Sequence, residues 1–147
     1  MRDYFKLIPA AYVILHQDDK ILLLKRANTG YFDGSYSLPA GHFEADEPAT
    51  VVAAREAKEE IGVIIDPHNL QLKHTLHRLS DIPVRHERID LFFETDTWQG
   101  DATNAEPDKC SEILWIEAER LPENVVPEVK QALQHIKKGQ IYSELNF

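Results

Sequence analysis

Residues 41–63 read GHFEADEPATVVAAREAKEEIGV, and the rest of the chain is interpreted outward from this stretch. Pro48 suits a first helical position and Gly62 suits the residue just past a helix end, so the spacing predicts a helix over 48–61. On a helix turning about 100° per residue, Glu56, Glu59 and Glu60 share roughly 100° of arc, with Arg55 beside them. Ala54, Ala57 and Ile61 fall on the opposite side, and alanines at 53, 54 and 57 allow close approach to a sheet. Three carboxylates on adjacent turns repel by about 0.2–0.5 kcal/mol per pair. A cation would relieve that cost, and oxygen ligands without nearby histidine or thiolate select a hard ion, Mg2+ or Mn2+ before Zn2+. A solvated acidic face is the other reading of the helix taken alone.

The longer spacing adds a second signal. Gly41 is followed after five residues by Glu47, after seven more by Arg55-Glu56-Ala57, then by Glu59-Glu60 and Gly62-Val63. This resembles the Nudix box, Gly-x5-Glu-x7-Arg-Glu-U-x-Glu-Glu-x-Gly-U with U a bulky aliphatic residue; Ala57 occupies the first U and is small. The resemblance extends to the Leu-Lys-Arg ending at Arg26, the Leu-Pro-Ala-Gly turn ending at Gly41, and the final helix.

The resemblance implies an α/β fold, a Nudix-type α/β/α sandwich with a mixed sheet and the box helix packed on it, as one domain over 1–147 with its box at 41–63. It implies hydrolysis of a nucleoside diphosphate linked to another group, with Mg2+ as cofactor and Mn2+ able to substitute. Glu56, Glu59 and Glu60 would be metal ligands, joined by the Ala40 carbonyl. Arg55 would hold the glutamates by ion pairing. Glu47 would tie the loop to the helix N-terminus, where negative charge is favoured, and Gly41 and Gly62 would serve backbone shape.

Cleaving a phosphoanhydride needs an activated water, neutralised phosphate charge and in-line geometry. In similar proteins the base is a box glutamate or one on a later loop. Glu106 is the first candidate for the loop role, with Glu112 and Glu44 behind it, and a plain exposed loop residue is the alternative. Arg26 stands where similar proteins contact phosphate, for which a planar guanidinium fork is suited; an exposed strand-end arginine is the alternative. Asn124 stands where similar triphosphatases read a base edge, and an amide can donate and accept at once; it could equally serve helix entry. Phe43, with Tyr31, Phe32 and Tyr36, is a candidate for stacking on a base, whereas Phe92, Phe93 and Trp115 fit a core.

Around the box, Leu7–His16 and Lys20–Arg26 read as a hairpin, and 28–36 as loop. Residues 37–41 read as a short strand ending in a turn. Strands follow at 71–79, 88–95 and 112–116, and Val129, Ala132, Leu133 and Ile136 mark a second amphipathic helix over 127–138.

Composition limits the function classes. The chain has 147 residues, 43% of them hydrophobic, and 25 acidic against 16 basic residues give a formal charge of −9. Such a balance fits one globular domain and argues against a nucleic-acid polymer as partner. The early apolar run ends at His16 and is too short for a bilayer, and no small-residue cleavage pattern follows it, so no membrane association is expected. The single cysteine, Cys110, fits a reducing compartment and a cytoplasmic location. The seven histidines show no convincing zinc spacing. The expected partner is a nucleotide or other small phosphoanhydride; a homodimer is compatible with the resemblance. Marks of similar enzymes that cleave ADP-ribose or dinucleoside polyphosphates are absent near His77–Ser80, which by elimination leaves a nucleoside triphosphate, standard or damaged. Competing readings are a nucleotide-binding regulator, disfavoured by the intact box, hydrolysis of ADP-ribose or nucleotide sugars, and a Ca2+ module, which lacks the required Asp-rich loop.

Overall fold

A computed structural model describes residues 1–147. In chain order the elements are β1 (Ile8–Gln17), β2 (Lys20–Arg26), β3 (Tyr36–Ser37), β4 (Ala40–His42), α1 (Ala49–Ile61), β5 (Gln71–Ser80), β6 (His86–Thr95), β7 (Cys110–Glu117), α2 (Pro127–Lys137) and β8 (Tyr142–Leu145). Short 3₁₀ turns lie at Pro67–Asn69 and Ala118–Arg120. The expected hairpin is β1–β2, closed at His16↔Ile21 with Asp18 at φ 56°. Aspartate tolerates this left-handed conformation through its short polar side chain.

β1 organises the molecule. Its alternate residues point to opposite faces, as the period of two requires. Ala11, Val13 and Leu15 enter one core with Val52, Ala53, Ala57 and Ile61 of α1, while Ala10, Tyr12 and Ile14 enter a second core with Val129 and Ala132 of α2. The result is a sheet with one helix on each side, the expected α/β/α arrangement. Ala57, small where the box pattern is bulky, is fully buried against the sheet.

The sheet is mixed. β1 runs parallel to β6 from Ile8↔Arg88 to Leu15↔Thr95, β6 pairs antiparallel with β5, and β5 pairs parallel with β8. β2 carries β7 and β3 on its two sides, and β4 pairs with β1 at Tyr12↔Ala40 and Ala11↔Gly41. Residues 37–41 therefore do not form one strand. Pro39 has no N–H for a ladder, so β3 ends before it on β2 and β4 begins after it on β1, while the Pro39 carbonyl accepts from Val13 N–H at 2.8 Å. β8 was not expected: four residues after a polar turn carry too little periodicity to register. No helix is long and apolar enough to cross a membrane.

Candidate active site

The box begins on β4 and continues into α1. Gly62 ends α1 in the left-handed conformation at φ 72°, its N–H bonded to the Lys58 carbonyl, the geometry that favours glycine after a helix. The next carbonyls of the last turn are taken by the loop before β7: Ala105 N–H donates to Glu60 O at 3.1 Å and Thr103 N–H to Ile61 O at 2.9 Å. The loop that carries Glu106 is thus fastened to the end of the acidic helix.

Arg55 gathers the acids. Its Nε and Nη2 donate to the two oxygens of Glu47 at 2.8 and 2.9 Å, its Nη1 donates to Glu56 Oε1 at 2.7 Å, and Glu59 Oε2 lies 3.6 Å away. A second Nη2 contact, to the His42 carbonyl at 3.2 Å, ties the helix to β4. Bidentate pairing holds the Glu47 carboxyl below its usual range.

Gly41 lies directly beneath Glu56. A Cβ there would coincide with the Glu56 carboxyl end, so only glycine leaves the space that this side chain fills. Gly41→Ala should therefore displace a flexible carboxylate rather than backbone. We expect turnover to fall about 10- to 100-fold with little change in unfolding temperature, read by steady-state kinetics beside thermal melts. A large loss of stability would place the glycine's role in the fold instead.

Glu60 is partly withdrawn from water, and its Oε2 accepts from Ala40 N–H at 3.1 Å. Burial, reinforced by the charges of Glu56 and Glu106, raises its pKa to about 8. Burial likewise raises Glu56, with Glu59 and Glu106 adding to it against the opposing effect of Arg55. No three acidic, histidine or cysteine groups stand converged for an ion, because Arg55 and Ala40 N–H draw Glu56 and Glu60 apart and Glu59 is half-exposed. The donor set nevertheless fits a hard divalent cation. All three ligand candidates are carboxylates, two are driven toward protonation by burial and nearby negative charge, and the third, Glu59, stands exposed beside them on the same helix face.

A cavity of about 1020 Å³ opens beside Glu60, while Glu56 and Glu59 stand outside its lining. Glu60, Ala40, Gly41, Glu106 and Arg26 all line it. Of the three base candidates outside the acidic helix only Glu106 lines it: Glu112, on β7, accepts from the Tyr36 hydroxyl, and exposed Glu44 uses its N–H on Glu47. Arg26 donates through Nε to the Tyr31 carbonyl at 2.6 Å and through Nη2 to Thr29 Oγ1 at 3.0 Å, leaving part of its fork for a ligand. Two residues expected near substrate make other contacts. Asn124 donates to the Gly34 carbonyl at 2.9 Å and pins the loop after β2. Phe43 packs against the α1 core, because the chain leaving β4 turns back over that face. Neither lines the cavity. Of the other aromatics, Tyr31 lines it while Phe32 is exposed, and Phe92 and Phe93 are buried on opposite faces of the sheet.

A buried ionic cluster that sequence spacing does not reveal borders the same cavity. Arg78 Nε donates to Asp90 Oδ2 at 2.5 Å, and Glu128 Oε1 lies 3.7 Å from Arg78 Nη2. The Tyr31 hydroxyl is 3.1 Å from both oxygens of Glu128. Asp90, set between Ile89 and the apolar run Leu91–Phe93, was the available signal.

A NUDIX domain family model matches residues 6–136. This chain belongs to the Nudix family. It is therefore a member of the pyrophosphohydrolases, whose members act on phosphoanhydride bonds and generally use a divalent metal. The chain is 28% identical over 130 residues to the putative 8-oxo-dGTP diphosphatase of Bacillus subtilis, covering 88% of this chain and 79% of that protein. It is 45% identical over 51 residues to the ADP-ribose pyrophosphatase of Methanocaldococcus jannaschii, a match spanning 35% of this chain and only 30% of the relative. A crystal structure of a MutT NUDIX hydrolase from Burkholderia pseudomallei superposes with a TM-score of 0.80 at 21% identity, covering 88% of this chain and 98% of that one. The Nudix fold is accordingly the fold found here.

Proposed function

We propose that this Nudix protein is a Mg2+-dependent nucleoside triphosphate pyrophosphohydrolase, with 1–147 as one catalytic domain. The observation that carries the reading is the shared cavity: the box carboxylate Glu60, the loop carboxylate Glu106 and Arg26 line one space of about 1020 Å³, large enough for a nucleotide. The long match to a putative 8-oxo-dGTP diphosphatase, against the short match to an ADP-ribose pyrophosphatase, supports a triphosphate. The intact acidic set supports catalysis over regulation. A buried free thiol supports a reducing, cytoplasmic setting.

In this reading Glu56, Glu59, Glu60 and the Ala40 carbonyl would hold the divalent ion, which when bound neutralises phosphate charge and activates water. Arg55 and Glu47 position the box carboxylates. Arg26 grips phosphate with its remaining donors. Glu106, placed by the α1 carbonyls, accepts the proton of the attacking water.

The test is phosphate release, with pyrophosphatase added, from nucleoside triphosphates, ADP-ribose, dinucleoside polyphosphates and nucleotide sugars, in Mg2+ or Mn2+ against EDTA. Metal-dependent turnover of triphosphates is expected. Turnover confined to ADP-ribose or nucleotide sugars would replace the substrate class, and nucleotide binding without turnover would favour a regulator. Glu106→Gln should slow turnover about 100-fold while metal binding, followed by calorimetry, persists. A wild-type rate would pass the base role to a box glutamate.

A further inference from the structure

We infer that Asp33 is a positioning residue: acting through the Thr29 hydroxyl, it holds Arg26 with one edge of the guanidinium bound to the loop and the other edge free for phosphate. The inference rests on the reading of Arg26 as a phosphate contact and adds the residues that prepare it for that role. Asp33 sits on the exposed loop after β2 and does not line the cavity, whereas Arg26, Thr29 and Tyr31 do.

The contacts from Asp33 to Arg26 are continuous. Asp33 Oδ1 accepts from the Thr29 N–H at 3.0 Å and from the Thr29 hydroxyl at 2.5 Å, while Oδ2 accepts from the Gly30 N–H at 2.9 Å. The Thr29 hydroxyl and the Gly30 N–H hold the Asp33 carboxyl below its usual range, so at neutral pH it can only accept. The Thr29 hydroxyl has one proton. Its short, charge-assisted bond to Asp33 outcompetes the Tyr31 carbonyl at 3.1 Å. The hydroxyl lone pairs are thereby left for Arg26 Nη2, which donates at 3.0 Å, and for the Tyr31 N–H at 3.2 Å.

For Arg26 the outcome is a division of its N–H donors. Nε–H goes to the Tyr31 carbonyl at 2.6 Å and one Nη2–H to Thr29, so the edge shared by Nε and Nη2 is spent on the loop. The edge shared by Nη1 and Nη2 stays open, and a phosphate can accept two parallel bonds from such a fork. The Tyr31 ring, 5.3 Å from the guanidinium carbon, adds a third restraint. The loop is itself anchored. Gly34 N–H donates to the Arg26 carbonyl at 2.7 Å, Ala27 N–H to the Lys109 carbonyl at 2.9 Å and Asn28 Nδ2 to the Asp108 carbonyl at 3.0 Å. The last two bonds tie it to the segment that follows Glu106. A guanidinium held in this way needs little ordering when phosphate arrives, and that saving appears as affinity.

The test uses the whole protein and two readouts. In 15N NMR spectra the Arg26 Nε–H signal, identified by its absence in Arg26→Gln, should be protected from solvent exchange in the wild type. Asp33→Asn and Thr29→Val should each exchange it about tenfold faster. Asparagine sets an NH2 group against one of the loop donors, and valine keeps the shape of threonine without its hydroxyl. Calorimetric titration with inorganic pyrophosphate in Mg2+ should show both variants binding about tenfold more weakly, with Thr29→Ser close to the wild type. The losses should not add: Arg26→Gln combined with Thr29→Val should bind as Arg26→Gln does alone. A loop serving the fold alone would give additive losses and no rescue by serine. Unchanged exchange in both variants, additive losses, or wild-type pyrophosphate affinity in both variants would overturn the inference. If Arg26→Gln itself binds like the wild type, the inference fails, and turnover of triphosphates still decides the hydrolase reading. Arg26-dependent binding without turnover of any phosphoanhydride gives the reverse.

Discussion

Replacing Glu60 by glutamine is expected to lower turnover by about a hundredfold or more while the fold remains intact. The amide keeps the shape of the carboxylate, and its oxygen can still accept from Ala40 N–H. What disappears is one of three charges available to a cation. Glu59→Gln should act in the same direction, although Glu59 is half-exposed and paired only at 3.6 Å with Arg55. Unchanged turnover in both variants would remove the metal-site assignment.

The same residue sets a pH dependence that is measurable without substrate. Glu60 titrates near pH 8 in the folded protein and near its ordinary value of 4.5 when unfolded. Below pH 4.5 both states hold the proton and the residue is neutral to stability. Between 4.5 and 8 the folded state holds a proton that the unfolded state has released, so stability falls as pH rises and the full penalty is present above 8. In EDTA, melting curves of the wild type should therefore decline across this window relative to Glu60→Gln. Adding Mg2+ near pH 8 should restore the wild type more than the variant. Parallel curves for the two proteins would show that Glu60 is well solvated.

The largest stability effect is expected at Asp90. This carboxylate is fully buried, touches Arg78 at 2.5 Å and lies 3.6 Å from Arg88. Asp90→Ala would leave two arginines with only Glu128 nearby, and breaking a buried ion pair from one side costs about 3–5 kcal/mol. Urea unfolding followed by fluorescence should show this as a lower midpoint at unchanged slope. A loss below about 1 kcal/mol, the range of an exposed pair, would mean that water already reaches the cluster.

Two kinds of information separate what the chain revealed in advance from what it withheld. The box was readable because Arg55, Glu56, Glu59 and Glu60 sit on one helix, where spacing converts directly into a shared face. The hairpin and both helices announced themselves through periodicity, and the first helix also through Pro48 and Gly62. Arg78, Asp90 and Glu128 stayed hidden because they come from three elements. Only the β5–β6 register and the packing of α2 bring them together. Phe43 and Asn124 show the converse: nearness to the box or to α2 in sequence does not fix direction, and their neighbours turn them toward the α1 core and Gly34.

The parallel pairing of β1 with β6 also governs how the chain reaches its native state. Ile8 meets Arg88, a contact closing a loop of about 80 residues, whose entropic cost of about 4 kcal/mol is roughly two to three times that of either local turn. β5–β6 can zip along its length through a short turn and β1–β2 closes at its turn, so these local pairings are expected to precede the docking of β1 on β6. Until they dock, the apolar flank of β1 is an unpaired edge, open to the same strand of another molecule. Refolding at high concentration should accordingly be the step at which this protein loses yield, and dilution its simplest remedy.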